Sequence, residues 1–228
     1  MQVKNMKKIN LSLIIIFAFI FIKCTVNNDN ILIDGSIVPN ETVKICNQVW
    51  MTKNLDVDHY RNGDSITEVR DSILWGNLTT GAWCYYNNDP AMGAIYGKLY
   101  NWFAVNDPRG LAPEGWHIPS EEEWMELENC LGGSDIAGGK MKAICTNYWQ
   151  SPNEGATNES GFYALPGGYR SYYDNGMFYE VGLDGHWWSS TEASTYTAWY
   201  WEVTYRDATI GRFDLNKVNG FSVRCIKD

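Results

Sequence analysis

One strongly signalled helix lies mid-chain, and the rest reads as short strands and turns. Ser120 stands as N-cap before Glu121-Glu122-Glu123, and Glu123 completes a capping box three residues on. The three acids sit at the positive end of the helix dipole, so capping accounts for them without a metal or an acid/base role. Trp124, Leu127 and Leu131 then share one face, and Gly132-Gly133 ends the run. A weaker helical piece is expected from Ser134 through Met141 to Ile144, limited by Gly138-Gly139.

Around this helix the pattern is β. Val43, Ile45, Val49 and Trp50 read as a first strand interrupted by Asn47-Gln48, and Asn62-Gly63-Asp64 reads as a turn. Beyond Asn147 come Gly161 to Leu165, a Tyr-rich hairpin about Asn175-Gly176, and Trp187-Trp188. From Ala198 to Tyr205 the residues alternate, with Trp199, Trp201, Val203 and Tyr205 on one side and Tyr200, Glu202 and Thr204 on the other. That is a half-buried strand. Phe221, Val223 and Cys225 form the inward face of a terminal strand. Strands and loops, then helices, then a run of strands make the class α+β.

The N-terminus argues for export. Lys7 and Lys8 precede the apolar run Leu11 to Ile22, which is short for a membrane span and suits a signal segment. Cys24 closes the run as the cysteine of a lipobox does, and is the expected lipidation site. Lys23 stands where such signals carry a small residue, so an uncleaved anchor and ordinary secretion stay open. The layout is a signal segment over residues 1–24, an Asn/Asp-rich tether over 25–41, and one domain over 42–228, large enough for a single core. This places the protein at the bacterial cell envelope, facing the periplasm or the cell surface, with its lipid in the membrane.

Charge and cysteines narrow the chemistry. The formal charge is −9; the first 24 residues hold four lysines and no acid, so the remainder carries 14 bases against 27 acids, or −13. A nucleic-acid partner is excluded on that balance, because phosphate binding needs a basic surface. Export allows disulfides, and five cysteines remain after Cys24. Cys130 with Cys145 and Cys84 with Cys225 are the pairs that position favours, although spacing does not fix connectivity. His59, His117 and His186 are scattered, which gives no zinc pattern.

Several blocks follow one another as in a known family. They include Gln48-Val49-Trp50-Met51-Thr52-Lys53-Asn54-Leu55, Tyr96-Gly97-Lys98-Leu99-Tyr100-Asn101-Trp102, Gly115-Trp116-His117-Ile118-Pro119-Ser120, Leu165-Pro166-Gly167-Gly168-Tyr169-Arg170, Trp187-Trp188-Ser189-Ser190-Thr191-Glu192 and Gly220-Phe221-Ser222-Val223-Arg224-Cys225. In this the chain resembles the Fibrobacter succinogenes major paralogous domain over about residues 42 to 228. The resemblance implies a C-type-lectin-like fold with irregular antiparallel sheets, related to the formylglycine-generating, sulfatase-modifying enzymes. Those enzymes use a pair of cysteines shortly before the final strand, and here none lies between Cys145 and Cys225. The chain is therefore expected to be non-catalytic. Ser189, Ser190 and Thr191 beside His186 make no triad, since neighbours on a strand point to alternate faces.

Binding is the better expectation. In C-type-lectin-like proteins the irregular strands before the terminal one often carry the ligand surface, here Tyr196 to Asn219. Tyr200, Glu202, Thr204, Arg212 and Asp214 are the candidate ligand-binding residues, because aromatic faces stack on sugars or anchor protein contacts while polar groups orient hydroxyls. An extracellular glycan or protein is the expected partner; a structural or adhesive role in a cell-surface assembly is the alternative, and behind it an enzyme related to the sulfatase-modifying group. Calcium is open as a cofactor with no ligands assigned; Pro152-Asn153-Glu154 only superficially resembles a calcium-lectin motif.

Overall fold

The structure is a computed structural model that describes the backbone of residues 31–33 and 36–38 and all of residues 41–144 and 147–228. The signal segment, Cys24, part of the tether and Cys145 lie outside the described residues. The elements in chain order begin with β1 (Ile31–Ile33), β2 (Ser36–Val38), β3 (Thr42–Ile45), β4 (Gln48–Met51) and β5 (Thr67–Glu68). Then come α1 (Ser72–Gly76), β6 (Ala82–Cys84), a 3-10 turn (Tyr86–Asn88), α2 (Pro90–Tyr96), β7 (Leu99–Tyr100), α3 (Trp102–Val105) and β8 (Trp116–His117). The rest are α4 (Glu121–Cys130), α5 (Ser134–Met141), β9 (Gly167–Arg170), β10 (Phe178–Val181), β11 (Asp184–Glu192), β12 (Thr197–Thr204), β13 (Ile210–Asn216) and β14 (Ile226–Lys227).

The expected α+β class is what is observed. A five-stranded sheet runs β10-β9-β11-β12-β13, antiparallel except where β9 meets β11. A four-stranded sheet runs β3-β4-β14-β8, and a three-stranded one β5-β6-β7. The first strand read from the sequence is two strands of a hairpin, β3 and β4. The polar interruption is its turn, with Cys46 in the left-handed region at φ 51°. β1 and β2 pair within the stretch expected to be tether. The Asn175-Gly176 turn joins β9 to β10, with both residues at positive φ.

The signals at α4 are realised in full. Ser120 Oγ accepts from the Glu123 amide at 3.2 Å, and Glu123 Oε2 accepts from the Ser120 amide at 2.8 Å. The same carboxylate accepts from His117 Nε2 at 2.8 Å, linking the cap to β8. Trp124 and Leu127 are buried and press the helix onto one face of the five-stranded sheet. Trp124 stacks on Trp201 at 5.5 Å between centroids and tilts against Trp50 and Phe162. α5 extends this layer: a Cβ at Gly138 would strike the Thr209 carbonyl, so the glycines that weaken the helix also admit the loop before β13. The opposite face of the sheet carries Trp188 and Tyr200, packed with Tyr100, Trp102, Val223 and Phe221.

Between the sheets runs a buried strap. Every residue from Lys217 to Ile226 is buried. Its backbone exchanges hydrogen bonds with Arg170, Tyr100, Trp188, Leu55 and Met51 before β14 enters the four-stranded sheet beside β4 and β8.

The irregular stretches around this framework bury carbonyls that no strand ladder reaches, and long cations meet them. Lys142 Nζ donates to the carbonyls of Glu154, Thr204 and Asp207 at 2.7–2.8 Å. Arg170 donates to Gly176, Val69 and Arg70, and its guanidinium lies over Trp75 at 4.5 Å. Arg224 donates to Met51 and Phe162 carbonyls and to Asn54 Oδ1. Among the described residues no carboxylate pairs with any of these three cations.

Burial pulls the Lys142 ammonium down to about 8, against the nearby Asp207, Glu154 and Asp184 charges that favour it. Between that value and its ordinary 10.5 the unfolded chain binds a proton that the folded one does not, so this group makes stability rise with pH across that window. Lys142→Met leaves three buried carbonyls without a donor. It is expected to cost about 2–4 kcal/mol in urea unfolding at pH 7 and to remove the rise in stability between pH 8 and 10.5.

Candidate functional site

The five candidate ligand residues do not lie together. Tyr200, Glu202 and Thr204 share a face of β12 with β11 residues Trp188, His186 and Asp184 directly opposite. On β13, Asp214 pairs with Trp199 and Arg212 with Trp201, so these two project from the other face. Arg212 is committed there: it pairs with Glu121 at 2.7 Å and lies over the Trp199 ring at 4.7 Å, holding the start of α4 to the sheet edge. Asp214 is exposed. The five residues were grouped from proximity in sequence, and the period of two along β13 separates them.

On the first face, rings from all five strands form a row. Tyr179, Tyr169, His186, Tyr200 and Phe213 follow one another with centroid separations of 5.8, 5.1, 5.9 and 5.8 Å. The middle of the row is floor: His186 and Tyr200 are buried, with Phe221 stacked behind His186. The ends are open, Tyr179 at 36% and Phe213 at 49% exposure. A Cβ at Gly211 would collide with the Phe213 ring, so this ring lies across Gly211, the residue opposite Glu202.

Carboxylates stand along the row. His186 Nε2 lies 3.0 Å from Glu202 Oε2 and 3.5 Å from Glu180 Oε2. Burial raises the carboxyls of Glu180 and Asp184 above the usual range, and burial pushes the Tyr169 hydroxyl up to about 12. Asp184 Oδ1 and His186 Nδ1 are buried without a hydrogen-bond partner. Flat rings beside acceptor oxygens on a rigid sheet can hold a hydroxylated ligand. Sequence reasoning found Tyr200, Glu202 and Thr204 but missed His186, Tyr169, Tyr179 and Phe213, whose convergence depends on strand order.

Concave surface lies elsewhere. A cleft of ≈ 390 Å³ runs between residues 52–56, α2 and the side chains of Tyr148, Tyr163 and Leu165. A smaller one of ≈ 280 Å³, bounded by Trp116 and Glu41, shares Lys53, Asn54 and Asp56 with it. Asn54 is a hub at the base of both: its Oδ1 accepts from Trp187 Nε1 and from Arg224, and its Nδ2 donates to the Tyr96 carbonyl. Tyr163 takes φ 58°, uncommon for a bulky residue, with its amide bonded to Asn158 Oδ1 at 2.9 Å.

The cysteine pairings expected from position are corrected. Cys130 is bonded to Cys46, and Cys84 and Cys225 are separate buried free thiols. The partner of Cys130 is set by the end of α4 packing against the β3–β4 turn, a contact invisible in linear spacing. The bond closes 84 residues, a loop that can stabilise by about 4–5 kcal/mol through the unfolded state. Burial drives both free thiols up to about 12, which keeps them out of the nucleophilic thiolate form. Among the described residues no group of three or more His, Cys, Asp and Glu side chains could hold a metal, and no helix is long and apolar enough to cross a membrane. Asn153, in the motif considered for calcium, is buried with its side-chain amide on the Ala143 carbonyl.

A family model described as Fibrobacter succinogenes major domain matches residues 43–227. No curated protein and no solved structure matches the chain.

Cys84 and Cys225 are expected to resist iodoacetamide in the native protein and to be alkylated fully in denaturant without reductant, as followed by mass spectrometry. Alkylation of either in the native state would contradict their burial.

Proposed function

The chain belongs to the Fibrobacter succinogenes major domain family, and we propose that it is a non-catalytic lipoprotein of the bacterial cell envelope whose domain, of C-type-lectin-like fold, binds an extracellular glycan. The observation that carries this reading is the half-exposed Phe213 ring lying across Gly211 beside the Glu202 carboxylate, with Tyr169 and Tyr179 farther along the same face. From β10 to β13 the row crosses four strand spacings, about 19 Å, room for several sugar rings. The rings contribute apolar contact, and Glu202, Glu180 and Thr204 contribute acceptors for hydroxyls. The buried thiols and the cysteine-free approach to the last strand support the absence of a thiolate oxidase activity.

A protein partner in a surface assembly is the second reading, and one observation favours it. Ile73 and Leu74 of α1, and Tyr173 and Met177 of the β9–β10 turn that abuts Ser72, are all more than half exposed.

Two measurements test the proposal. On a polysaccharide array run with calcium and with chelator, the protein is expected to bind selectively, and Phe213→Ala or Glu202→Gln to weaken binding by about tenfold or more, a loss of ~1.4 kcal/mol or greater. Absence of selective glycan binding under both conditions would leave the protein-partner reading. For the anchor, labelled palmitate is expected in the wild type and not in Cys24→Ala, which should leave the membrane fraction.

A further inference from the structure

The cleft beside Asn54 has a charge that the fold does not balance. Arg224 lies in its wall and is 1% exposed. Its Nε and Nη2 donate to Asn54 Oδ1 at 3.0 and 2.7 Å, and its Nη1 donates to the carbonyls of Met51 and Phe162 at 3.1 and 2.7 Å. A guanidinium has five N–H groups, so one on Nη2 is left without an acceptor among the described residues. No carboxylate of the described residues lies within ion-pair distance; the Phe162 ring lies 4.4 Å away. A buried cation met only by neutral oxygens has no counter-charge and so retains a net attraction for an anion.

The neighbouring charges reinforce this. The exposed Lys53 lines the same cleft, and Asp56, its one acidic wall residue, is tied to Lys98 at 2.6 Å. In a chain of net charge −9 this is a locally cationic hollow. Its other walls suit a ring: Tyr148 and Tyr163 both line it, burial raising the Tyr163 hydroxyl with a smaller contribution from Tyr148, and Leu165 adds apolar surface. The volume of ≈ 390 Å³ holds a single hexose-sized molecule.

We propose that this cleft is a binding site for a carboxylated sugar, a hexuronate, whose carboxylate meets Arg224 and Lys53 while its ring lies against the wall that Tyr148 and Tyr163 form. The site shares no residue with the ring row on the sheet, so each stands or falls alone. Arg224 also holds together residues 51–54 and Phe162, so its removal would confound folding with binding; Lys53 is exposed and carries the test.

The full chain in detergent, labelled with nitrogen-15, is titrated with D-glucuronate, D-glucose and the dipeptide Ala-Ala while the Arg224 Nε–Hε resonance is followed. Glucuronate is expected to shift it saturably, glucose to bind about tenfold more weakly or worse, and Lys53→Glu to lower glucuronate affinity by about tenfold without changing the thermal midpoint. Equal responses to glucuronate and glucose, no saturable shift, or an unchanged affinity in Lys53→Glu would overturn the proposal. So would Ala-Ala binding as tightly as glucuronate, which would assign the cleft to peptide carboxylates.

Discussion

Backbone carbonyls buried outside any ladder must find donors, and this protein meets that demand with long cationic side chains. Much of the chain between the strands is neither helix nor sheet, yet it is packed against tryptophan-rich cores where water cannot serve. Lys142 gathers three carbonyls from the segments near residues 154 and 204–207. Arg170 binds the β5–α1 connection to the β9–β10 turn, and Arg224 binds residues 51–54 to Phe162. Each cation replaces several missing ladder bonds, and its aliphatic stem fills core volume at the same time. The expense is desolvation, visible in the lowered values of Lys142 and Arg224. The reward is that loops are fixed in position firmly enough to shape surfaces.

How much of this was legible in the sequence depended on the range of the interaction. Local chemistry could be read: the capping box at Ser120 and Glu123, the turn at Asn175-Gly176 and the strand at β12 appear as expected, although β12 buries residues on both faces and not on one. The short helices α1, α2 and α3 could not, because segments of four to seven residues carry too few turns for a period of 3.6 to show. Residues joined only by topology were out of reach. Cys46 meets Cys130 because α4 ends above the β3–β4 turn, and Tyr179, Tyr169 and His186 align only because β9 sits between β10 and β11. Arg212 and Asp214 were placed beside Tyr200 by number, and strand pairing puts them behind it.

The five-stranded sheet divides labour between its faces. One face is covered by α4, α5 and a stack of tryptophans except at the β13 edge, where Asp214 stays exposed, and this cover gives rigidity. The other is filled at the Trp188 end and open at the Glu202 end, so the same strands that form the core also present rings and carboxylates to solvent. The cleft at Asn54 is built on the opposite principle. Its walls come from α2 and the loops around it, held in place by the hydrogen bonds of Asn54 and Arg224 beneath them. A surface of the first kind tolerates extended, repetitive ligands; one of the second kind selects by size and charge.

The buried strap from Lys217 to Ile226 also sets the order in which the molecule can be made. It is the last part of the domain to leave a ribosome, yet it lines the seams of the five-stranded, four-stranded and three-stranded sheets at once. Until it arrives, the backbone groups of Tyr100, Arg170, Trp188 and Leu55 that face the strap lack the partners it supplies, and Phe221 and Val223 are missing from the core between them. The five-stranded and three-stranded sheets contain no strand of the strap, so what its arrival completes is the seams between the sheets and, with β14, the β3-β4-β14-β8 sheet.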